Sequence, residues 1–392
     1  MISVPEARQI ISKHCHPLGT IQLPIVDAVG SVLAEDLVAP VSLPSFRQSS
    51  MDGYAVRLQD QLEILQVQDA LPAGTSKQLV LQPLQAIKVF TGGPVPEGAD
   101  TVIQKEWVKV TEHRIQLYPP SGILESGTNI REIGSDIRAG TSYMPAHTTI
   151  KAMHIGVLAG LGLTTVPVYK KPAIAILITG NELVDPGAEL AAGQVYESNS
   201  YALRACLAAI HMHPPKILFA KDNAAETEEK IREALAENDL VLITGGVSVG
   251  DYDFVVEACR NAGVEELFHG VRQRPGKPLF FGMRKQTMVF GLPGNPSSVL
   301  SCFYQYVLPA IVVVSGIRMP KSEKRVLTTT YEKKASLHFF LKGFQHEEKV
   351  TVLSAQASYQ QQAFVEANCW IELPEEKIVF AKGEEVIIHH FL

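Results

Sequence analysis

Cysteine is scarce and unpatterned in this 392-residue chain: the five, Cys15, Cys206, Cys259, Cys302 and Cys369, show no C-x-x-C spacing. An odd, scattered set suggests neither a zinc cage nor a disulfide framework, and it fits a reducing cytoplasm. Charge of one sign is lacking as well. Thirty-five Lys and Arg against 41 Asp and Glu leave a net charge of −6, which argues against a broad nucleic-acid or membrane surface while leaving local basic sites open. The longest apolar tract, residues 299–316, is broken by Gln305 and Pro309 and carries tyrosines. It reads as a buried helix rather than a membrane span. Residues 1–20 have no continuous apolar core, so no secretion signal is expected. Internal repeats and low-complexity tracts are also missing.

What is present supports real cores, since 46% of the residues are hydrophobic and the length carries a prior of two to four domains. Residues 5–14 read as an amphipathic helix, followed by an extended passage with a strand-like segment at 21–26. Residues 46–134 are short strands and turns (62–67, 86–90, 100–104, 107–111, 115–118) broken by Pro and Gly, an all-β module. Mixed character returns at 134–168, with a helix expected near 154–160. From Lys171-Pro172 onward, strands at 174–179, 217–220 and 240–244 alternate with helices at 200–211, 225–236 and 254–262. That rhythm predicts a parallel sheet with helices on both faces. Strands at 279–282 and 288–291 and a helix after Pro296 continue it. Short strands recur at 325–331, 349–353, 369–373 and 385–390, a small C-terminal β-domain.

The most informative stretch is 240–253, where an all-apolar strand, Leu-Val-Leu-Ile-Thr, discharges into Gly-Gly-Val-Ser-Val-Gly-Asp-Tyr-Asp. Backbone N–H groups bared by Gly245, Gly246 and Gly250 suit phosphate oxygens, and Ser248 adds a hydroxyl. Asp251 and Asp253 offer hard oxygen ligands for Mg²⁺. Carboxylates alone would repel phosphate; with a divalent ion between them the arrangement attracts it. Doubly wound sheets place ligands outside the carboxyl ends of their strands. Thr179-Gly180-Asn181-Glu182 and Asp222-Asn223 fall on that same rim, so Glu182 and Asp222 join Asp251 and Asp253 as candidate metal ligands. Each cluster alone also reads as an ordinary turn with a helix cap.

Arg272-Gln273-Arg274-Pro275-Gly276-Lys277 packs three cations beside a turn, either a solvated loop or an anion site with Arg274 and Lys277 as its contacts. Gly291-Leu292-Pro293-Gly294-Asn295-Pro296-Ser297 follows an apolar strand and opens a helix, so Pro293, Asn295 and Ser297 stand where helix N-termini bind anions. Outside this region lie Met51-Asp52-Gly53-Tyr54-Ala55, the 91–100 segment beginning Thr91-Gly92-Gly93-Pro94, and Gly134-Ser135-Asp136-Ile137. Singly, each of these reads as a turn.

In their order along the chain these blocks resemble the molybdopterin molybdenumtransferase family, which inserts molybdate into molybdopterin and is related to the C-terminal domain of gephyrin. The resemblance covers nearly the whole chain and rests on no single glycine motif. It implies a multidomain α/β fold and a homodimer. The αβα doubly wound molybdopterin-binding domain would hold residues 1–20 and 170–318, and a β-rich inserted module residues 46–134. A mixed linker domain would hold 21–45 and 135–169, and a β-barrel-like domain 319–392. The substrates implied are adenylylated molybdopterin and molybdate, with Mg²⁺ assisting release of AMP and a molybdopterin adenylyltransferase as upstream partner. By motif, Asp52, Thr91 and Asp136 would reach the cleft from the opposite subunit, while Glu182, Asp222, Asp253 and Lys277 would come from the αβα domain.

The chain departs from the family pattern in places. Asn181 stands where Asp is common, Arg274 replaces a frequent Lys, Lys342 stands where Arg is expected before Gly343, and Ser358 lacks its usual flanking Gly and His. Two other classes share features with it. One is a non-catalytic molybdopterin-binding or scaffolding protein, against which the retained Glu182, Asp222, Asp253 and Lys277 weigh. The other is the adenylyltransferase itself, against which the extra β-domains and the Met-Asp-Gly-Tyr-Ala block weigh.

Overall fold

The computed structural model describes residues 1–120, 124–247, 254–318 and 322–392. Its contacts divide the chain into two compact units. One comprises Met1–Gln22, Gly30–Ala34 and Pro167–Leu392, and the other Leu23–Val29 and Glu35–Val166.

The larger unit is built on a six-stranded sheet in the order Lys216–Ala220, Ile174–Thr179, Leu240–Thr244, Thr287–Leu292, Phe280–Arg284, Glu265–His269. The central strands are apolar throughout because both faces are covered. Ile176, Ile178, Leu240 and Leu242 face the helices Val4–His14, Asn199–Ala209 and Pro296–Cys302 with its continuation. Leu177, Val241 and Ile243 face the other side, under Ala224–Glu237 and Val255–Asn261. At about 1.5–3 kcal/mol for each fully buried aliphatic side chain, this double layer anchors the strand ends that carry the polar loops.

Two features differ from the parallel sheet expected. Phe280–Arg284 pairs antiparallel with Thr287–Leu292, and Glu265–His269 pairs antiparallel with Phe280–Arg284. The reason is length: only Lys285 and Gln286 separate the first two, and Lys285 takes φ 55° in a tight hairpin. A parallel return needs a crossover of a dozen residues or more. The strand Glu265–His269 was not expected at all.

The tail of the same unit closes a five-stranded barrel. Its strands run His338–His346, Lys349–Val352, Glu323–Leu327, Glu385–His390, Cys369–Leu373 and back to His338–His346. His338–His346 is the longest of them and was not expected as a strand. Gln273–Arg274 adds to it in parallel at His338 and Phe339. The apolar helix at Pro296–Val314 is long enough to cross a membrane by length and composition, yet most of it is buried in this unit, and a π-turn at Phe303–Val307 interrupts it.

The smaller unit holds a six-stranded sheet ordered Thr101–Gln104, Gly53–Val56, Gln85–Val89, Ile64–Leu71, Arg114–Leu117, Val108–Thr111. Side chains alternate between two cores, Ala55, Ile87 and Val102 on one face and Tyr54, Val56 and Ile103 on the other. Gly53 is required where its strand presses on the next one, because a Cβ there would stand 1.8 Å from the Ile103 carbonyl oxygen. The segment expected as a strand at 21–26 divides into the strand Thr20–Pro24 and a 3-10 turn at Ile25–Asp27.

Candidate functional site

Lys216–Ala220, Ile174–Thr179, Leu240–Thr244 and Thr287–Leu292 are parallel neighbours, so their carboxyl ends deliver four loops to one rim. The rim encloses a cleft of about 630 Å³ lined by Glu182, Asp222, Gly245, Gly246, Pro293 and Asn295, all expected from the sequence. Ser248, Gly250, Asp251 and Asp253 lie outside the described residues.

Gly245 takes φ 89°, and a Cβ there would stand 2.8 Å from both the carbonyl and hydroxyl oxygens of Thr179. Only glycine fits that close approach. Its amide is not free for phosphate, contrary to expectation, because it donates to the Leu292 carbonyl at 3.1 Å. Gly246 takes φ 61°, and its N–H donates to no described residue.

Across the rim the Asn181 amide donates to Asp222 Oδ2 at 3.0 Å and the Asp222 amide donates to Asn181 Oδ1 at 3.2 Å. This reciprocal pair of hydrogen bonds holds one Asp222 oxygen and leaves the other without a hydrogen bond to any described residue. Neither Glu182 nor Asp222 forms an ion pair with any described residue. They are the two described carboxylates on the cleft, and no cluster of three or more metal-binding side chains occurs among the described residues.

The basic turn is held from below. Gln273 Nε2 donates to the Gly276 carbonyl at 2.8 Å, and the Tyr306 hydroxyl donates to Gln273 Oε1. A Cβ on Gly276 would meet the Cys302 sulfur at 2.5 Å. Lys277 is therefore presented on a fixed turn; it is exposed, adjoins Pro278 on the cleft wall, and pairs with no described carboxylate. Arg274 lies on the barrel side instead, its guanidinium 5.8 Å from the Phe339 ring centroid.

Asn295 Nδ2 donates to Ser358 Oγ at 3.1 Å, and the Ser297 amide donates to the Ser358 carbonyl at 3.1 Å. The barrel loop carrying Ser358 thus caps the helix that begins at Pro296. Ser297 is fully buried and does not line the cleft. Lys342 is buried too, its Nζ donating to the Gln360 carbonyl at 2.8 Å, and burial pushes its pKa down to about 8.

Asp52, Thr91 and Asp136 belong to the smaller unit. Thr91 donates to Asp52 Oδ1 from its amide at 2.9 Å and its hydroxyl at 3.0 Å. Those two donors hold the Asp52 carboxyl below its ordinary value. Asp136 is exposed in a turn whose amide donates to the Leu43 carbonyl at 3.0 Å, and no described bond joins it to Asp52 or Thr91.

Among the cleft residues that escaped the sequence reading are Tyr196, Asn199 and Gln361. Tyr196 lies in a short parallel pair, Val195–Tyr196 with Leu183–Val184, too brief to show a period. Asn199 opens a helix, where its residue type reads as a cap.

Comparisons with known proteins cover most of the chain. Residues 2–162 match the MoeA N-terminal region (domain I and II), 175–312 a probable molybdopterin binding domain, and 324–391 the MoeA C-terminal region (domain IV). The molybdopterin molybdenumtransferase of Haemophilus influenzae is 33% identical over 402 residues, covering 100% of this chain and 99% of its own. This chain belongs to the molybdopterin molybdenumtransferase family. Molybdopterin molybdenumtransferase 2 of Mycobacterium tuberculosis is 31% identical, with 98% of each chain covered. The crystal structure of the molybdopterin biosynthesis MoeA protein of Pyrococcus horikoshii superposes with a TM-score of 0.84 at 28% identity, covering 100% of this chain and 99% of that one. Membership gives the rim loops a common context: the cleft carrying Glu182 and Asp222 falls within the part matched to the molybdopterin binding domain.

Proposed function

We propose that this chain is a molybdopterin molybdenumtransferase that inserts molybdate into adenylylated molybdopterin with Mg²⁺-dependent release of AMP. The observation that carries the reading is the single cleft on which Glu182, Asp222, Gly245, Gly246, Pro293 and Asn295 meet. Relatives of nearly the same length bear that activity as their name.

The donor set suits Mg²⁺, which binds through one or two carboxylates and keeps other positions for water and substrate phosphate. Glu182 and Asp222 are hard oxygen donors facing the cleft without a competing described cation, and Asp251 and Asp253 would complete the set. When bound, the ion would offset charge on the phosphate oxygens of the departing AMP. The rest of the work falls to the chain. The Gly246 amide, which donates to no described residue, donates to a phosphate oxygen, and Lys277 supplies a point charge for phosphate or molybdate, both anionic tetrahedra. The Asn181 brace keeps the Asp222 carboxylate aimed at the cleft, so little reorganisation is needed as charge develops.

Asp52, Thr91 and Asp136 are read as contributions to the same chemistry from a second copy in a homodimer, in the reducing cytoplasm, with an adenylyltransferase supplying substrate. The test is incubation of purified protein with adenylylated molybdopterin, Mg²⁺ and molybdate while AMP and molybdenum-loaded product are followed. Binding of the substrate without AMP release would favour the scaffolding class instead.

A further inference from the structure

Two side chains at the back of the cleft carry buried polar atoms with no partner among the described residues: Asn199 Oδ1 and Thr244 Oγ1. Asn199 is 7% exposed and Thr244 is 1% exposed. An unpaired buried polar atom is costly, and such atoms are rare in folded proteins.

The Asn199 amide has only one sensible orientation. Its Nδ2 donates to the Gly294 carbonyl at 2.8 Å. Exchanging oxygen and nitrogen would set two acceptors against each other, so Oδ1 is fixed on the far side. The helix start beneath it is pinned as well, since the buried Glu197 accepts from the Ser200 amide at 2.9 Å and from its hydroxyl at 2.5 Å. Asn199 thus presents an immobile acceptor. An acceptor repels phosphate and molybdate oxygens and calls for a donor.

Tyr196 lines the same cleft with its hydroxyl tied to the Ala188 carbonyl at 2.9 Å, yet 46% of the residue stays exposed. Its anchored ring, with Leu183 and Val195 beside it on the cleft wall, offers a surface for a flat ring rather than a sugar.

We propose that Asn199 and Thr244 read the N–H-bearing edge of a planar nitrogen heterocycle, making them specificity-determining residues of the cleft. The inference rests on the proposed substrate, which contains two such rings, a pterin and an adenine. Asn199 Oδ1 accepts from the exocyclic N–H, and the Thr244 hydroxyl pairs with an adjacent ring atom. The anionic part of the substrate lies away from Asn199, toward Gly246 and Lys277.

The test measures binding by calorimetry with two probe pairs in which one member lacks the exocyclic amino group, replaced by hydrogen in the first pair and by a carbonyl in the second. AMP is compared with purine riboside 5′-monophosphate, and pterin-6-carboxylate with lumazine-6-carboxylate. Wild-type protein should prefer the amino-bearing member of one pair by about ten-fold, the worth of one well-made hydrogen bond. The preferred pair names the ring. Asn199→Leu and Thr244→Val should each reduce that preference several-fold. Thr244→Val should leave the melting temperature unchanged or raised, because an unpaired hydroxyl is replaced by an apolar group, whereas Asn199→Leu also gives up the bond to the Gly294 carbonyl and should lower it. If Asn199→Leu does not fold, Thr244→Val, nearly isosteric, decides alone. Equal affinity within both pairs in wild type, or a preference that survives substitution, overturns the proposal. The wild-type AMP-release assay is independent of these comparisons. Turnover with intact discrimination in the variants sinks only this inference, whereas variant-sensitive discrimination without turnover sinks only the functional reading.

Discussion

Asn181 and Asp222 brace each other by reciprocal bonds, the amide of each meeting the side chain of the other at 3.0 and 3.2 Å. Asn181 therefore acts on the site through Asp222, which makes it a positioning residue. An aspartate at 181 would accept the same bond from the Asp222 amide. Asn181→Asp should change stability by no more than about 0.5 kcal/mol, whereas Asn181→Ala removes a hydrogen bond worth about 0.5–1.5 kcal/mol and frees the Asp222 loop. Chemical denaturation gives the stability difference, and the Mg²⁺ dependence of AMP release reports the aim of Asp222. A lower Mg²⁺ requirement in Asn181→Asp would show that the added charge joins the metal site.

Lys277→Ala should leave the melting temperature nearly unchanged, since the side chain is exposed and pairs with no described carboxylate. Molybdate or substrate affinity should fall by ten-fold or more. A large drop in thermal stability with unchanged affinity would make the motif a structural turn.

Glu372 sits at the centre of the contact between the first helix and the barrel. Arg8 reaches its two oxygens at 2.9 and 3.1 Å, His338 Nε2 lies 2.8 Å away and His389 Nε2 2.5 Å away. Burial opposes its ionisation, but bonds to both histidines and Arg8 outweigh that and hold the carboxyl far below its ordinary 4.5. A depressed carboxyl contributes stability that is complete above 4.5 and is lost progressively as pH falls from there toward its folded value. Glu372→Gln should cost about 3–5 kcal/mol at pH 7 and flatten the stability-versus-pH curve below 4.5, measured by denaturant midpoints between pH 3 and 7. An unchanged acid limb would remove Glu372 as its source.

A shared cleft predicts complementation between subunits. Asp52→Ala and Asp222→Ala chains, each inactive alone, should regain activity when mixed and allowed to exchange, because heterodimers contain one undamaged cleft. Demonstrated exchange without recovered AMP release would place Asp52 outside the active centre.

Much of this was legible because the strands of the larger unit are buried on both faces. Leu240–Thr244 is buried at every position and apolar up to Thr244, and the polar loop after it begins where burial ends. The antiparallel edge was hidden by treating Phe280–Arg284 and Thr287–Leu292 as part of a crossover rhythm, although two intervening residues leave no room for a helix. His338–His346 was missed since burial of six consecutive residues, including Lys342, masks the alternation that marks a strand. Asn199 could not be found from sequence. Its importance lies in Gly294, almost a hundred positions away, whose carbonyl fixes the amide orientation. The commitment of the Gly245 amide to Leu292 was invisible for the same reason, being set by a neighbouring strand.

The most direct measurement is molybdate-dependent AMP release by wild-type protein and by Glu182→Gln and Asp222→Asn, each checked for an unchanged melting temperature. Wild type should release AMP only when molybdate and Mg²⁺ are both present, and each variant should lose at least a hundred-fold, on the order of the effect of removing one charged group from a catalytic centre. Absence of AMP release by wild type, or near-normal release by both variants at saturating Mg²⁺, would contradict the assignment of this cleft as the transferase site.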